Sequence, residues 1–273
     1  MKYGLISDLH ANVEAVEAVL AQLTAAGVDR IACLGDVVGY HASPNECVQI
    51  VRDRCTHVIA GNHDRATLGT IGTSEFGFVA RRAVQWTAER LAADHATYLR
   101  GLDVTGPLDA TAMMVHGALV PEPNDRFHIT TPERITANLE RLASLAAAGG
   151  ARVCFFGHTH RGVAHALRAT GVETLRNPES VELEPGVVYL INPGSVGQPR
   201  DGDWRAACAI YDSERRRVDF MRVDYDVSAF RAKAAAAGLL DPPTFARRSF
   251  EVARAGLYDA AELAGRVWKR ARR

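Results

Sequence analysis

The chain has 273 residues, of which 47% are hydrophobic, and its 32 basic residues balance its 32 acidic residues. A formal net charge of zero argues against a surface built to coat nucleic acid. The sequence shows no apolar run of 18 residues and no signal-peptide core, and its five cysteines are scattered without a CxxC pair, so we expect a cytoplasmic protein that neither enters a membrane nor forms disulfides.

Short apolar strands alternate with helices in the first part of the chain. The pattern predicts a strand over 3–7, a helix over 13–26, a strand over 30–34, a helix over 44–54 and a strand over 57–60. This order is typical of an α/β sheet, in which ligand-binding groups collect at the carboxyl ends of the strands.

Residues 68–104 interrupt this rhythm. A glycine-containing loop is followed by one or two helices over 80–102, and we interpret the segment as an insertion that caps the site and favours a small substrate. The later pattern then predicts strands over 112–115, 152–156 and 187–191, a helix over 132–148 and a hairpin over 206–211 and 217–223. We expect one domain over 1–225 and a helical extension over 226–273, rich in alanine and arginine.

Polar side chains follow five of the predicted strands. The loops are Asp8-Leu9-His10, Gly35-Asp36-Val37-Val38-Gly39, Gly61-Asn62-His63-Asp64, His116-Gly117 and Gly157-His158-Thr159-His160. Each has an ordinary structural explanation when taken alone: Asp8 could cap a helix, Asp36 and Asn62 could be turn residues, and His116 could be a hydrogen-bonded core histidine. Five such loops at the same end of successive strands favour a shared site.

The chemistry of these side chains points to metal ions. Oxygen and nitrogen donors without thiolate suit manganese, iron, zinc or magnesium. The donors are too many for one ion, and two ions about 4 Å apart that share a carboxylate would suit a phosphoryl displacement.

The five motifs together resemble the calcineurin-like metallophosphoesterase superfamily, in its small bacterial and archaeal phosphodiesterase branch. The stretch Asn192-Pro193-Gly194-Ser195-Val196-Gly197-Gln198-Pro199-Arg200 is also similar to that branch, as is Gly39-Tyr40 followed by Pro44-Asn45-Glu46. The resemblance covers residues 1–225 and implies a four-layer α/β sandwich, with two mixed sheets flanked by helices.

The resemblance also implies a role for each motif residue. One metal would be held by Asp8, His10 and His160, and the other by Asn62, His116 and His158, with Asp36 bridging the two. His63 would be the acid that faces the substrate, Asp64 would orient its ring and keep it charged, and Arg200 is our candidate for a phosphate contact. The two ions would be divalent or trivalent, with manganese and iron favoured.

The expected function is a dimetal hydrolase that cleaves small phosphodiesters or nucleotides through a metal-bridging hydroxide. Alternatives are a diadenosine tetraphosphate-type pyrophosphohydrolase, a phosphomonoesterase, a nuclease, or a metal-bound scaffold without catalysis. The longer G-D-x-x-D-R-G motif of the protein serine/threonine phosphatases is absent, because Gly39-Tyr40-His41 stands there. The partner we expect is therefore a small, nucleotide-like phosphorylated substrate, with nucleic acid disfavoured and the oligomeric state left open.

The remaining histidines and polar neighbours carry less information. Asn12, Tyr40 and His41 could face the pocket, and the sequence does not decide this. His57, His95, His128 and His165 are interpreted as ordinary structural histidines.

Overall fold

The computed structural model describes residues 1–239 and consists of two six-stranded mixed sheets with helices on their outer faces. The strands are β1 Lys2–Ile6, β2 Arg30–Cys33, β3 His57–Val58, β4 Thr105–Pro107, β5 Ala112–Val115, β6 Val153–Phe156, β7 Gly162–Arg168, β8 Gly171–Arg176, β9 Ser180–Glu182, β10 Val188–Pro193, β11 Ala206–Asp212 and β12 Arg217–Val223. The helices of this described part are α1 Val13–Ala25, α2 Pro44–Arg54, α3 Asn62–Thr67, α4 Phe78–Ala88, α5 Ala93–Arg100, α6 Pro132–Ala147 and α7 Val227–Ala236.

The two sheets have related strand orders. The first runs β3-β2-β1-β11-β12-β9, and the second runs β4-β5-β6-β10-β7-β8. The neighbours β1, β2 and β3 are parallel, as are β5, β6 and β10, whereas all other neighbouring strands within residues 1–239 pair antiparallel. The predicted α/β fold with two mixed sheets is confirmed, and the carboxyl ends of the parallel strands supply the loops that carry the motif residues.

Four layers follow from three apolar cores. Side chains from the inner faces of both sheets, such as Leu5, Phe155 and Tyr211, pack in the middle. The outer face of the first sheet packs against α1 and α2, and the outer face of the second packs against α6. Strand β6 is apolar on both of its faces because both are buried. Phe155 packs in the central core, and Cys154 and Phe156 pack in the core under α6.

The helices α1, α2 and α6 begin at residues that are typical of helix N-termini. Helix α1 begins after Asn12, whose side-chain oxygen accepts a hydrogen bond from the Ala15 backbone at 3.2 Å. Proline occupies the first turn of α2 and of α6, where its missing N–H costs nothing. Asn12 is therefore a capping residue, which settles one position that the sequence left open.

The structure also contains elements that the sequence pattern did not predict. These are the short helix α3 and the strands β4, β7, β8 and β9. The predicted helical segment over 80–102 forms two helices, α4 and α5, and α7 begins the expected extension, of which residues 240–273 lie outside the described part. Within residues 1–239, no helix combines the length and the apolar character that crossing a membrane requires.

Candidate metal centre

The seven predicted metal ligands meet at one edge of the two sheets. One group consists of Asp8, His10, Asp36 and His160, and a second consists of Asp36, His116 and His158; within each group the donor atoms all lie within 4.8 Å of one another. All six of these side chains are buried. The two groups share Asp36, as a bridging carboxylate requires.

Individual distances support this division. His10 Nε2 lies 3.1 Å from His160 Nε2, and His160 Nε2 lies 3.4 Å from Asp8 Oδ1. A single oxygen of Asp36, Oδ2, lies 3.6 Å from His10 Nε2 and 3.3 Å from His116 Nε2. Asn62 joins the second group, because its Oδ1 lies 2.9 Å from His158 Nδ1.

The other ring nitrogen of each histidine is held by a backbone carbonyl. His10 Nδ1 contacts Val38 O at 3.2 Å, His116 Nδ1 contacts Leu34 O at 2.6 Å, and His160 Nδ1 contacts Gln198 O at 2.7 Å. His158 is turned the other way, with Nε2 at 3.1 Å from Arg126 O. A ring that donates one N–H to a carbonyl keeps the lone pair of its other nitrogen for a metal, which is the usual arrangement around ligating histidines.

The electrostatics of the cluster agree with a cation site. Burial lowers the pKa of His10, His158 and His160 well below the ordinary value, so these rings are neutral donors. Burial also raises the pKa of Asp8 to about 6, with a further contribution from Asp36 that His116 opposes. For His116, burial disfavours the charged ring, but Asp36 and Asp8 outweigh burial and raise its pKa to about 10.

Within the two donor groups, one buried ring nitrogen of residues 1–239 has no hydrogen-bond partner. His116 Nε2 has none among residues 1–239, although it points at Asp36. Buried polar atoms are nearly always satisfied, so an unsatisfied ring nitrogen 3.3 Å from the Asp36 carboxylate fits a position at which both groups could bind a metal ion. The donor set, nitrogen and oxygen without sulfur, fits the manganese, iron, zinc or magnesium ions that the sequence predicted.

The ligand loops have left-handed backbone at non-glycine residues. Positive φ angles occur at Asp8 (53°), His10 (48°), Asp36 (53°), His158 (66°) and His160 (58°). Such conformations cost free energy and collect at functional sites. Here they turn alternate side chains of a short loop toward one point, which explains why two histidines separated by one residue can serve two groups.

Close packing of the loops requires glycine at two positions. A Cβ atom on Gly61 would overlap Oδ1 and the backbone N of Asp36, and one on Gly157 would overlap Ser7 Oγ. The glycines of the G-N-H-D and G-H-x-H motifs therefore let the loops after β3 and β6 approach the carboxylates.

His63 lies beside this cluster and is not part of either donor group. Its ring centroid is 4.8 Å from that of His10, 4.6 Å from that of Tyr40 and 4.9 Å from that of Phe76. Its backbone N–H donates to Asp36 Oδ1 at 2.8 Å. His63 Nδ1 is buried beside Gly39 without a hydrogen-bond partner in the described chain, which leaves Nε2 as the nitrogen for a ligand.

Asp64 does not orient the His63 ring, and that expectation was wrong. Its carboxylate accepts hydrogen bonds from the backbone N–H of Val38 at 3.0 Å and of Gly61 at 2.9 Å, so it ties two ligand loops together. Burial raises the pKa of Asp64 to about 7, and burial lowers that of His63 to about 4, against the opposing effect of Asp36. The carboxylate of Asp64 therefore does not hold the imidazole charged.

Arg200 stands at the exposed rim of the cluster. Its Nη2 donates to Tyr40 OH at 3.1 Å and to Gln198 Oε1 at 3.0 Å, and its backbone N–H donates to His160 O at 3.1 Å. Next to burial, the positive charge of Arg200 is the strongest influence that lowers the pKa of His160. The same positive charge that lowers the pKa of His160 can attract an anion bound beside His160.

Asn192, Ser195 and His128 lie close to the donor groups, a position that the sequence alone did not predict for them. Asn192 Nδ2 donates to Gly157 O at 2.7 Å, and Ser195 Oγ donates to Asp8 O at 2.8 Å, so the stretch 192–200 braces the ligand loops. In the sequence, only the similarity of this stretch to the small bacterial and archaeal phosphodiesterase branch pointed to the site, because the stretch contains no residues at metal-ligand spacing. His128, interpreted as an ordinary structural histidine, instead lies with its ring 4.0 Å from that of His158, and nothing in its sequence neighbourhood indicates this.

A family model decides the identity of the chain. The model for the calcineurin-like phosphoesterase superfamily domain matches residues 1–216. The chain belongs to this superfamily. It is 31% identical, over 225 residues, to the uncharacterised protein MJ0912 of Methanocaldococcus jannaschii, covering 82% of this chain and 88% of that protein.

Two solved structures share the fold of this chain. A metallophosphoesterase from Sphaerobacter thermophilus is 36% identical, covers 91% of this chain and 97% of its own, and superposes with a TM-score of 0.72. The protein PH1004 from Pyrococcus horikoshii OT3 is 17% identical, covers 88% of this chain and 94% of its own, and gives a TM-score of 0.67. The present chain therefore has the metallophosphoesterase fold, and it contains a buried cluster of aspartates and histidines that could bind metal.

Proposed function

We propose that the protein is a dimetal hydrolase that cleaves phosphoester bonds in small phosphodiesters or nucleotides. The observation that carries this proposal is the convergence of two donor groups on Asp36 Oδ2, because a shared carboxylate holds two ions close together. Asp8, His10 and His160 would hold one ion, and Asn62, His116 and His158 the other. When bound, two such ions supply positive charge for the phosphoryl oxygens and lower the pKa of water.

His63 is the residue that would handle the leaving group. It lies against His10 but outside both donor groups, and the burial of Nδ1 leaves Nε2 to meet a substrate oxygen. Because burial lowers the pKa of His63 to about 4, the ring would take up its proton when an anionic phosphate lies beside it and raises that pKa. A proton delivered by a positioned side chain contributes typically about 10²–10⁴-fold to a rate. Asp64 would act indirectly, by fixing the loop that carries His63 and Asn62.

Arg200 would neutralise a phosphoryl oxygen at the rim of the site. The guanidinium carbon Cζ lies 5.7 Å from the centroid of the Tyr40 ring, and the hydrogen bond from Nη2 to the Tyr40 hydroxyl holds the side chain in place. A held guanidinium loses less conformational freedom when it binds an anion.

Hydrolysis by the manganese-loaded full-length protein tests the proposal. We expect turnover of bis(p-nitrophenyl) phosphate with Mn²⁺ or Fe²⁺ that chelation abolishes and that Asp36→Asn removes. A panel of nucleotides and single-stranded DNA assigns the substrate, and preferential cleavage of DNA would support the nuclease alternative. Bound metal without turnover of any substrate would leave the protein a metal-bound scaffold and reject the proposal.

A further inference from the structure

The second donor group is held by two segments that are far apart in the sequence. Asn62 is the first residue of helix α3, whereas His116 is the first residue of the long loop 116–131 between β5 and α6. His158 lies between these segments, because its Nδ1 is 2.9 Å from Asn62 Oδ1 and its Nε2 is 3.1 Å from the backbone oxygen of Arg126. The position of this loop relative to α3 therefore sets the position of the His158 ring.

The β5–α6 loop presents the backbone of Arg126 to the metal centre, while the side chain of Arg126 is 54% exposed. Near its base the loop is closed on itself, because the backbone N–H groups of Gly117 and Ala118 donate to Asn124 O at 2.9 and 3.1 Å. The side-chain oxygen of Asn124 also accepts from the Arg126 backbone N–H at 3.2 Å. These bonds fix the local shape of the loop, but they do not join it to α3.

An ion pair between Arg65 and Asp125 joins the loop to the helix. Arg65 lies on α3 three residues after Asn62, and its Nη1 is 2.9 Å from Asp125 Oδ2. Asp125 directly precedes Arg126, its side chain is 1% exposed, and its Oδ1 has no hydrogen-bond partner among residues 1–239. A buried carboxylate that loses its cation is strongly unfavourable, so this pair holds the loop against α3.

Helix α3 has further attachments that do not depend on this ion pair. The Asp64 carboxylate accepts a hydrogen bond from the Val38 backbone at 3.0 Å, and the His63 backbone donates to Asp36 Oδ1 at 2.8 Å. The two histidines of the first donor group contact carbonyls that lie outside the β5–α6 loop. Breaking the Arg65–Asp125 pair should therefore release the loop under His158 and leave α3 and the first donor group in place.

We propose that Arg65 and Asp125 are positioning residues that set the affinity of the second donor group for its metal ion, by placing the Arg126 carbonyl against His158. The inference rests on the proposed two-metal centre and goes beyond it, because the pair belongs to neither donor group. Loss of the group that orients a ligating histidine typically weakens metal binding by about 10- to 100-fold. An effect of charge alone would have the opposite sign at Arg65, since removing a cation favours the binding of another.

Stepwise binding of Mn²⁺ to the full-length protein tests this role. We would measure both affinities by calorimetry and record the manganese electron paramagnetic resonance spectrum, in which a coupled pair of ions differs from a single ion. In Asp125→Asn and in Arg65→Met we expect one ion to bind about 10- to 100-fold more weakly and the other to bind as in the wild type. Arg65→Lys keeps the charge and should lose less. Turnover is not the readout, because His63 lies on the same helix as Arg65.

Two further variants assign the weakened ion and control for the loss of an ion pair. Asn62→Ala removes a ligand of the second group, so adding Asp125→Asn to it should not change the binding of the remaining ion. The control Arg168→Met breaks the ion pairs with Glu173 and Glu184 at the end of β7 and should change neither affinity.

Three results would overturn the assignment: unchanged affinities in both variants, equal weakening of both ions, or tighter metal binding in Arg65→Met. If Arg65→Met fails to fold, Asp125→Asn decides the question, because its amide has the shape of the carboxylate. Two bound ions without hydrolysis of any phosphoester would reject the proposed function alone, since metal binding is measured without turnover. Hydrolysis by a protein whose two affinities the variants leave unchanged would reject the role of the pair alone.

Discussion

The Nε2 atoms of His10 and His160 lie 3.1 Å apart in the interior of the protein, although 150 residues separate them in the chain. Each ring uses Nδ1 for a backbone carbonyl, so both Nε2 atoms present lone pairs toward each other. Two lone pairs at this distance repel unless a cation lies between them. The separation is also the one that two ligands at right angles take around an ion with bonds of about 2.1 Å.

Replacing the shared carboxylate should harm metal binding more than replacing one histidine. Asp36 Oδ2 approaches donors of both groups, whereas His10 belongs to one group. We expect Asp36→Asn to lose both ions and His10→Ala to lose one, as measured by metal content after dialysis against a fixed free concentration of Mn²⁺. Equal retention in the two variants would contradict the bridging role.

Removing His63 should affect turnover and spare the metals. His63 lies outside both donor groups, so His63→Ala should keep two ions while turnover falls by about 10²–10⁴-fold. The loss should be smaller for a nitrophenolate leaving group, which departs without a proton, than for an alkoxide or ribose leaving group. A lost ion would make His63 a ligand, and equal losses for both leaving groups would show that it stabilises phosphoryl charge.

A methyl group at Gly61 should disrupt the centre through the backbone. The new Cβ would overlap Asp36 Oδ1 and the Asp36 backbone, neither of which can move without shifting a ligand loop. We expect Gly61→Ala to lower the free energy of unfolding by about 1–3 kcal/mol and to reduce metal content. The control Gly72→Ala adds a methyl group with nothing within 4 Å and should leave both quantities unchanged. Full metal retention in Gly61→Ala would show that the loops can separate.

The positions along the chain of the strands that precede the polar loops could be predicted from the sequence, because short apolar runs that end in glycine and a polar residue are local signals. Strands such as β7 and the short helix α3 were not predicted. β7 reads Gly-Val-Ala-His-Ala-Leu-Arg and has no clear alternation, and it is a strand because β8 and β10 pair with it on both sides. Tertiary pairing thus supplied what local preference lacked.

The candidate site likewise contains residues that could be predicted from the sequence and residues that could not. The polar residues that meet at the site, such as Asp8, Asp36 and His158, could be named in advance as candidates, because they follow predicted strands in motifs that resemble those of the superfamily. Asp64 could not be assigned correctly, because its hydrogen bonds go to the backbone of Val38, 26 residues away, and of Gly61.

A buried histidine remote from the metal centre should make the protein sensitive to acid. His165 lies on β7 under α6, 3% exposed, with Nδ1 at 2.8 Å from Thr174 Oγ1 and with Nε2 unpaired among residues 1–239. Burial lowers its pKa to about 4, with a small contribution from Arg176. The folded state therefore binds fewer protons than the unfolded state once the pH falls below the ordinary histidine pKa of about 6.5.

Stability should accordingly be intact above about pH 6.5 and should decline as the pH falls toward 4, by about 2 kcal/mol at pH 5 from this residue. His165→Asn retains an amide that can reach Thr174 and removes the titration. Denaturant unfolding of both proteins with chelator present, at pH 7.5 and pH 5, isolates the effect, because all other groups titrate alike in the pair. We expect the wild type to lose about 2 kcal/mol relative to the variant over this interval. A difference between the two proteins that does not change with pH would mean that the imidazole is protonated in the folded protein, and that the pocket under α6 admits water.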